Sequence, residues 1–244
     1  MSIRIAFVLT ETAALPSAEA VLAEHTTLSP EGPSLELIEG DDKTVSFSLE
    51  RMTVVAAAMP APVPDGEAED AARFSLGSMG TGWQLGPHAA HVLVTLLADE
   101  VSPDDLQEFT IAVAAVALAA NAVGVYWGEG HVTHAPRFFA DTALEAPLMA
   151  WNGVSVANEG PERLSFLTLG MRQLGLPDMM VGAPRGAGND AVSFLFEVLR
   201  YMVSRGEPLP DGDTIGRTAE EKLQVSYGAS PANPEQKVFR VDLP

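Results

Sequence analysis

Alternation of apolar and polar residues predicts short strands in the first quarter of the chain. Ile3 to Leu9 is an almost continuous apolar run, typical of a buried strand, and Leu35 to Ile38 predicts a second strand. Between Val45 and Glu50 apolar and polar residues alternate, as in a half-buried strand, and Met52 to Met59 predicts a more buried one. The acidic pair Asp41-Asp42 therefore falls in a hairpin turn.

Two long helices are predicted from their start signals and apolar patterns. Ser102 is a helix cap and Pro103 occupies the first helical position, where its missing N–H costs nothing. From Phe109 to Ala120 this helix is apolar on nearly every side, so we expect neighbours to bury more than one face. Apolar residues at three-and-four spacing from Asp190 to Ser204 predict a second helix with one core-facing stripe.

The remaining apolar segments complete the predicted fold. His91 to Leu97 predicts a central strand, and the last third holds two more strands before a closing hairpin, in which Leu223 to Tyr227 pairs with Val238 to Leu243. Pro147 to Pro161 is predicted to be an irregular connection around Trp151. These elements predict an α+β fold of mostly antiparallel sheets, each packed with one long helix, in two closely associated subregions.

Charge is the outlying quantity in the composition. The 244 residues carry 33 acidic and 14 basic side chains, which gives a net charge of −19. Residues 1–150 hold 21 acidic and 5 basic side chains, a net of −16, whereas residues 151–244 hold 12 and 9, a net of −3. This asymmetry predicts an acidic N-terminal region at 1–150 and a separate C-terminal domain at 151–244. An acidic surface disfavours nucleic acid and anionic membranes as partners.

The absence of cysteine excludes several classes of site. Disulfides, thiol nucleophiles, cysteine zinc sites and iron–sulfur clusters all require a residue that the chain lacks. The apolar run from Ile5 to Leu9 is too short for a signal peptide, and the Ala-rich run from Ile111 to Trp127 is too weakly hydrophobic to span a bilayer. We therefore expect a cytoplasmic protein.

A family resemblance is carried by three segments of the last third. Gly170 to Asp178, Phe194 to Leu199 and Leu209 to Gly216, followed by the terminal hairpin, resemble the bacterial domain-of-unknown-function 4261 family. The resemblance is sharpest over residues 164–243, and the region upstream looks like the one that accompanies this domain in longer members. It implies a bacterial, cytoplasmic protein, and the family has no established activity, cofactor or catalytic residues to carry over. Some similar small acidic proteins are immunity or accessory partners of secreted toxins.

Four of the five histidines form two pairs with the same spacing, His88/His91 and His131/His134. Imidazole is the commonest metal ligand, and such pairs share a face when they lie on a helix. Both pairs lie in predicted turn-to-strand or turn-to-helix segments, however, so we expect His91 to be packed in a strand and the others to lie in loops. The alternative is a metal-dependent enzyme or a small-molecule sensor that uses both pairs, with Glu129 as the near third ligand.

Other catalytic motifs are incomplete. The glycine-rich loop Gly182 to Asn189 precedes a helix but lacks the lysine and hydroxyl residue of a phosphate loop, so we expect a flexible surface loop capped by Asn189 or Asp190. A second loop, Gly77 to Gly82, follows no predicted strand. Ser75 and Ser78 lie near His88 in sequence, which does not make a triad. We predict no catalytic residue, no metal site and no cofactor.

Surface candidates point to protein binding. Tryptophan is enriched at interface hot spots, and the three tryptophans are predicted in or beside loops. The predicted partner-binding residues are Trp83, Trp127, Trp151, Arg185, Asp41, Asp42, Glu69 and Asp70. With the acidic balance of the N-terminal region, they favour a non-enzymatic protein-binding module whose partner is a basic protein.

Overall fold

The computed structural model describes residues 2–79 and 81–244, and the chain forms two compact units, Met1–Ala150 (unit 1) and Trp151–Pro244 (unit 2). Both units combine helices with sheets in which most neighbouring strands are antiparallel, which confirms the predicted α+β class. None of the helices in the described ranges has the length and apolar content that crossing a bilayer requires.

Unit 1 is built on a seven-stranded sheet. Its strands are β1 (Ser2–Thr10), β2 (Leu35–Gly40), β3 (Thr44–Leu49), β4 (Met52–Met59), β5 (Ala90–Ala98), β6 (Gly124–Trp127) and β7 (Val132–His134). Their spatial order is β2-β3-β4-β5-β1-β6-β7, and every neighbouring pair is antiparallel. The strand predicted from His91 to Leu97 is thus central, and β2 and β7 are the two outer strands.

Unit 1 includes the helices α1 (Ala18–Leu28), α2 (Glu67–Ala71), α3 (Pro103–Ala119) and α4 (Pro136–Glu145), and most of α5 (Pro147–Trp151). The start of α3 is a capping box, in which the Ser102 side chain accepts from the Asp105 N–H and the Asp105 side chain accepts from the Ser102 N–H. From Phe109 to Ala117 every residue of α3 is buried, because α1, α4 and strands β1 and β4 pack around it. The prediction of a helix buried on several faces is confirmed.

The two faces of this sheet are covered differently. One face packs on α3 and carries fully buried side chains such as Val8, Phe47 and Val94. On the other face, Leu9 packs with Ala68 and with further residues of the segment that follows β4. The proline-rich, acidic sequence at residues 60–70, which is typical of an exposed loop, therefore leads into helix α2, whose alanines Ala68 and Ala71 are buried. Periodicity gave no signal there because α2 is only five residues long.

Unit 2 combines a five-stranded sheet with one long helix. Its sheet strands are β8 (Gly153–Asn158), β9 (Arg163–Leu169), β10 (Met179–Pro184), β13 (Ser226–Ala229) and β14 (Lys237–Asp242), and a small hairpin is formed by β11 (Thr214–Ile215) and β12 (Leu223–Gln224). The order is β13-β14-β10-β9-β8, with β10 and β14 parallel and the other pairs antiparallel. Helix α6 (Gly188–Arg205) packs on β9 and β10.

Two sequence expectations in this part of the chain are wrong. Residues 147–161 were expected to be irregular, but they contain α5 (Pro147–Trp151) and β8, which pairs along its whole length with β9. The glycine-rich stretch after β10 is a single 3-10 turn at Arg185–Ala187, and Asn189 and Asp190 lie in the first turn of α6 rather than at its cap. The core stripe of α6 is confirmed, since Leu195, Phe196 and Leu199 are buried.

Candidate functional site

The first histidine pair lies beside helix α2. His91 projects from β5, where its Nδ1 lies 2.8 Å from the Ala61 carbonyl oxygen and its ring packs on Phe7. Burial lowers the pKa of His91, the Ala61 carbonyl opposes this, and the neighbouring His88 lowers it further. The His88 side chain is only 1% exposed, and its Nδ1 lies 3.7 Å from Glu69 Oε1. This pair and Glu69 therefore share one partly buried polar site.

The second pair is divided between a turn and a strand. His131 follows a 3-10 turn with a left-handed φ of 46°, and its ring lies 5.4 Å from that of Phe74. His134 was expected in a loop, which is wrong: it is the last residue of β7 and has no exposed surface. Its Nδ1 lies 2.7 Å from Ser75 Oγ. Burial lowers the pKa of His134 to about 3, although a hydrogen bond with the Ala150 backbone opposes the shift.

Strand register keeps the two pairs apart. His91 is in register with Leu9 on β1, whereas His134 is in register with Val125, which is in register with the adjacent Val8. Successive residues of a strand point to opposite faces, so the two imidazoles leave opposite faces of the sheet. Three interstrand spacings, about 14 Å, also separate β5 from β7. The two pairs do not meet.

The expected third ligand lies elsewhere as well. Glu129 is exposed and its Oε1 lies 3.5 Å from Arg4 Nη1. Within residues 2–79 and 81–244 there is no group of three histidine or carboxylate side chains that could hold a metal ion. The alternative of one metal site shared by both histidine pairs and Glu129 therefore has no geometric support.

The Ser75–His134 contact is a nucleophile–base distance, and sequence reasoning missed it. The two residues are 59 positions apart in the sequence. They meet because the segment that leads to Ser75 packs against β7. Both are fully buried, and the rings of Phe138 and Phe139 lie 5.2 and 6.1 Å from the imidazole. A nucleophile without access to solvent cannot meet a substrate, so in this conformation the pair fastens the Ser75 segment to β7.

Two of the predicted contact tryptophans are core residues. Trp127 is 1% exposed, and its ring lies between those of Phe109 and Phe139 at centroid distances of 5.8 and 6.0 Å. Trp151 is 2% exposed at the end of α5. A buried side chain offers no contact area to a partner in this conformation, so Trp127 and Trp151 leave the set of candidate contact residues.

Trp83 and Arg185 keep accessible surface. Trp83 is half-buried in a loop, and its backbone N–H donates to Thr81 Oγ1 at 3.3 Å. Gly80, which belongs to the same loop, lies outside the described ranges. Arg185 is exposed, but its guanidinium donates to the Pro161 carbonyl and, at 2.7 Å, to Asn158 Oδ1. These bonds tie Arg185 to the connection between β8 and β9, so its charge is held in place rather than on a flexible loop.

The two acidic pairs lie in different parts of unit 1. Asp41 and Asp42 lie in the turn after β2, where Asp41 Oδ1 accepts the N–H groups of Lys43 and Thr44 at 2.8 Å. These bonds hold the pKa of Asp41 below its usual range, so Asp41 stays ionised. Glu69 and Asp70 lie on α2, which packs on β7. Glu69 faces His88, just before the central strand β5, and three interstrand spacings, about 14 Å, separate β5 from β2, so the pairs belong to two surfaces.

Strand β2 extends the Asp41–Asp42 surface, and its residues were not singled out from the sequence. Every residue from Glu36 to Gly40 is exposed, although Leu35 is buried. Glu36 and Glu39 add two carboxylates to those of the turn. The available signal was one glutamate inside the predicted strand Leu35 to Ile38 and a second directly after it, since glutamate is depleted in strands. We call residues Glu36, Leu37, Glu39, Asp41 and Asp42 the acidic edge.

Comparison with known proteins identifies a family for part of unit 2. Residues 167–242 match the family described as "Domain of unknown function (DUF4261)". The match begins in β9 and ends with β14, so it confirms the resemblance that the sequence showed over the C-terminal third. No curated protein matches the chain. No solved structure matches it either.

The family segment contains a turn that is built around one buried carboxylate. Asp178 Oδ1 accepts the N–H groups of Gly170 and Met171 at 3.0 and 3.1 Å and the hydroxyl of Thr168 at 3.1 Å. Gly170 has a φ of 135°, which side-chain-bearing residues rarely adopt. Burial raises the pKa of Asp178, and the three hydrogen bonds oppose that shift. This part of the family resemblance thus has a structural explanation.

Proposed function

We propose that the protein is a non-enzymatic binding module and that its unit 1 binds a basic protein. The observation that carries the proposal is the acidic edge, where four exposed carboxylates follow one outer strand and its turn. It lies in the part of the chain with a net charge of −16. An acidic surface attracts a basic partner over several ångströms and raises the association rate.

The class of partner follows from this charge. Proteins that act on nucleic acids carry basic surfaces, because they must neutralise phosphates. We therefore place the protein in the cytoplasm as an immunity or accessory partner of a bacterial toxin or secretion system, with a nucleic-acid-directed toxin as the favoured class. The family resemblance of unit 2 supports this assignment only by analogy.

A salt and charge series with the native partner tests the proposal. The partner is isolated by co-purification and its affinity is measured between about 0.1 M and 1 M salt, where the Debye length falls from about 10 Å to about 3 Å. We expect the affinity to fall with salt and to fall again in Asp41→Asn/Asp42→Asn. The variant Asp141→Asn/Glu145→Gln, which removes the same charge from exposed positions on α4, is the matched control. A salt-independent affinity would contradict the proposal.

A second candidate, a ligand-binding protein, is favoured by one observation at the first histidine pair. His88 Nε2 is buried and accepts or donates no hydrogen bond within the described ranges, while Nδ1 of the same ring faces Glu69. A buried polar atom of this kind is a place where a bound ion or small molecule can supply the missing bond. Elemental analysis of tag-free protein, with His88→Ala as control, tests this candidate. A stoichiometric metal that is lost in the variant would displace the first proposal.

A further inference from the structure

Strand β2 has an open side. It is the first strand in the order of the unit 1 sheet, it pairs with β3, and no strand of the described ranges pairs with its other side. Five consecutive residues, from Glu36 to Gly40, are exposed, and Leu37 and Ile38 are 50% and 54% exposed. Helix α1 contacts β2 and Leu35 at its start is buried, but the exposed stretch of this outer strand offers backbone N–H and C=O groups to an extended chain of suitable chemistry.

A bulge in β2 determines the face of the sheet from which each of its side chains projects. Glu36 is in register with Ser48 and Glu39 with Ser46, whereas Leu37 is in register with Phe47, and the register shifts between Leu37 and Glu39. Ser46 and Ser48 share one face of the sheet, so both glutamates project from that face. Leu37 projects from the opposite face, where Phe47 is buried. One face of the edge therefore carries both glutamates and the other carries Leu37, with Ile38 as the bulged residue between them.

The face of the edge that carries Leu37 opens into a groove of about 640 Å³. The segment Ala13–Ala18 lines it together with Leu37, Val45, Asp41 and Asp42. Such a groove accommodates aliphatic side chains of a chain lying along β2, while the side chains between them face Glu36 and Glu39. A chain that fits this site therefore has aliphatic side chains on one face and basic side chains on the other.

We propose that an extended segment with alternating basic and aliphatic residues binds as an additional strand along the free side of β2. This inference rests on the proposed function, and it specifies the mode of binding: main-chain pairing gives affinity, and the two faces of the edge select the side chains. Lysine or arginine on the acidic face neutralises Glu36 and Glu39. Valine, leucine or isoleucine on the other face fills the groove beside Leu37.

Charge argues against a second copy of the chain as the occupant. Pairing two β2 strands would bring Glu36, Glu39, Asp41 and Asp42 of both copies together, and like charges on adjacent strands are destabilising. Bulges and charged side chains on outer strands are also features that keep the sheets of two copies of a protein from pairing edge to edge. A basic strand relieves this repulsion, so the same residues that prevent self-association select the partner.

Defined peptides test the mode of binding without knowledge of the native partner. A synthetic peptide of alternating lysine and valine is titrated into the full-length protein and followed by fluorescence anisotropy. We expect binding that a glutamate–valine peptide does not show, and that weakens about tenfold or more in Glu36→Lys/Glu39→Lys. The control Asp141→Lys/Glu145→Lys makes the same change in net charge at exposed positions on α4, away from β2, and should bind like the parent protein. Thermal melts establish that both variants are folded.

Backbone methylation separates strand addition from simple charge attraction. A lysine–valine peptide that is N-methylated on every amide keeps its charges but has no N–H group to donate to a strand ladder. Loss of binding, together with slower hydrogen exchange at residues 36–40 when the unmethylated peptide is bound, supports the inference. Equal binding of the methylated peptide overturns strand addition while leaving the salt dependence of the native partner to decide the proposed function. Sedimentation showing a dimer that Leu37→Lys dissociates would also overturn it.

Discussion

Gly182 and Asp242 are register partners on the parallel strands β10 and β14, and the Asp242 carboxylate occupies the space that a side chain at position 182 would need. A Cβ atom on Gly182 would clash with Asp242 Oδ1 and would lie 2.8 Å from Arg240 Nη2. Arg240 in turn donates to both carboxylate oxygens of Glu159 at 2.8 and 2.7 Å. The glycine thus makes room for an ion cluster on the sheet surface.

Gly182→Ala should therefore destabilise unit 2. The Asp242 carboxylate and the Arg240 guanidinium are side-chain ends that can move aside, so the cost is that of weakening their surface ion pairs, about 1 kcal/mol or less. In a background of Asp242→Ala the same substitution should cost much less, because the clashing group is gone. Urea unfolding of the four proteins of this double-mutant cycle measures the difference. Equal costs in both backgrounds would mean that Gly182 is needed for another reason.

Asp178→Ala is expected to be among the most damaging single changes in the family segment. It leaves the buried N–H groups of Gly170 and Met171 without their acceptor, and each unsatisfied buried donor costs about 1–3 kcal/mol. Asp178→Asn keeps one acceptor oxygen and should be less costly. Thermal or urea unfolding decides between them, and Asp190→Ala, an exposed aspartate on α6, serves as the control. A mild effect of Asp178→Ala would contradict the structural explanation of this turn.

Ser75→Ala tests whether the contact between Ser75 and His134 holds unit 1 together. The substitution leaves His134 Nδ1 buried without its partner, so we expect a loss of about 1–3 kcal/mol in the free energy of unfolding. Ser204→Ala, at an exposed position on α6, should be almost neutral. A fluorophosphonate probe, which labels activated serines, should leave the parent protein unmodified. Labelling that disappears in Ser75→Ala would instead indicate a conformation in which this pair is open to substrate.

Local signals in the sequence were sufficient where an element carries its own cap and pattern. Helix α3 was predicted correctly because Ser102 and Pro103 mark its start and its apolar residues continue on all sides. Strand β5 was predicted from a run of apolar residues long enough to be central. The buried stripe of α6, with Leu195 and Leu199, followed from helical spacing. In each case the residues that determine the element lie within that one helix or strand.

Contacts between distant segments could not be obtained in this way. Trp127 was predicted at the surface because β6 is only four residues long and is followed by a glycine-rich turn, yet β1 and β7 flank it on both sides. The face on which Glu39 lies depends on a one-residue shift in the pairing of β2 with β3. A shift of one residue moves a side chain to the other face of a sheet. The acidic edge is therefore visible only once strand pairing is known.

His134 should make the stability of the protein depend on pH. Burial lowers its pKa to about 3 in the folded state, while the unfolded chain has a histidine pKa of about 6.5. Between these values the unfolded state binds a proton that the folded state does not, so stability is full above pH 6.5 and is lost as the pH falls towards 3. The expected contribution is about 1.4 kcal/mol per pH unit in that window.

Urea unfolding at several pH values between 7 and 4 measures this slope. The change His134→Gln removes the titrating group and keeps a polar side chain beside Ser75, so the variant should show a shallower loss of stability on acidification. His25 and His91, whose pKa values are also lowered by burial, contribute equally to both proteins and cancel in the comparison. Parallel pH profiles for the parent protein and the variant would mean that His134 can be protonated in the folded state. Its imidazole would then have to be accessible to water, and the enclosed arrangement of Ser75, Phe138 and His134 would be wrong.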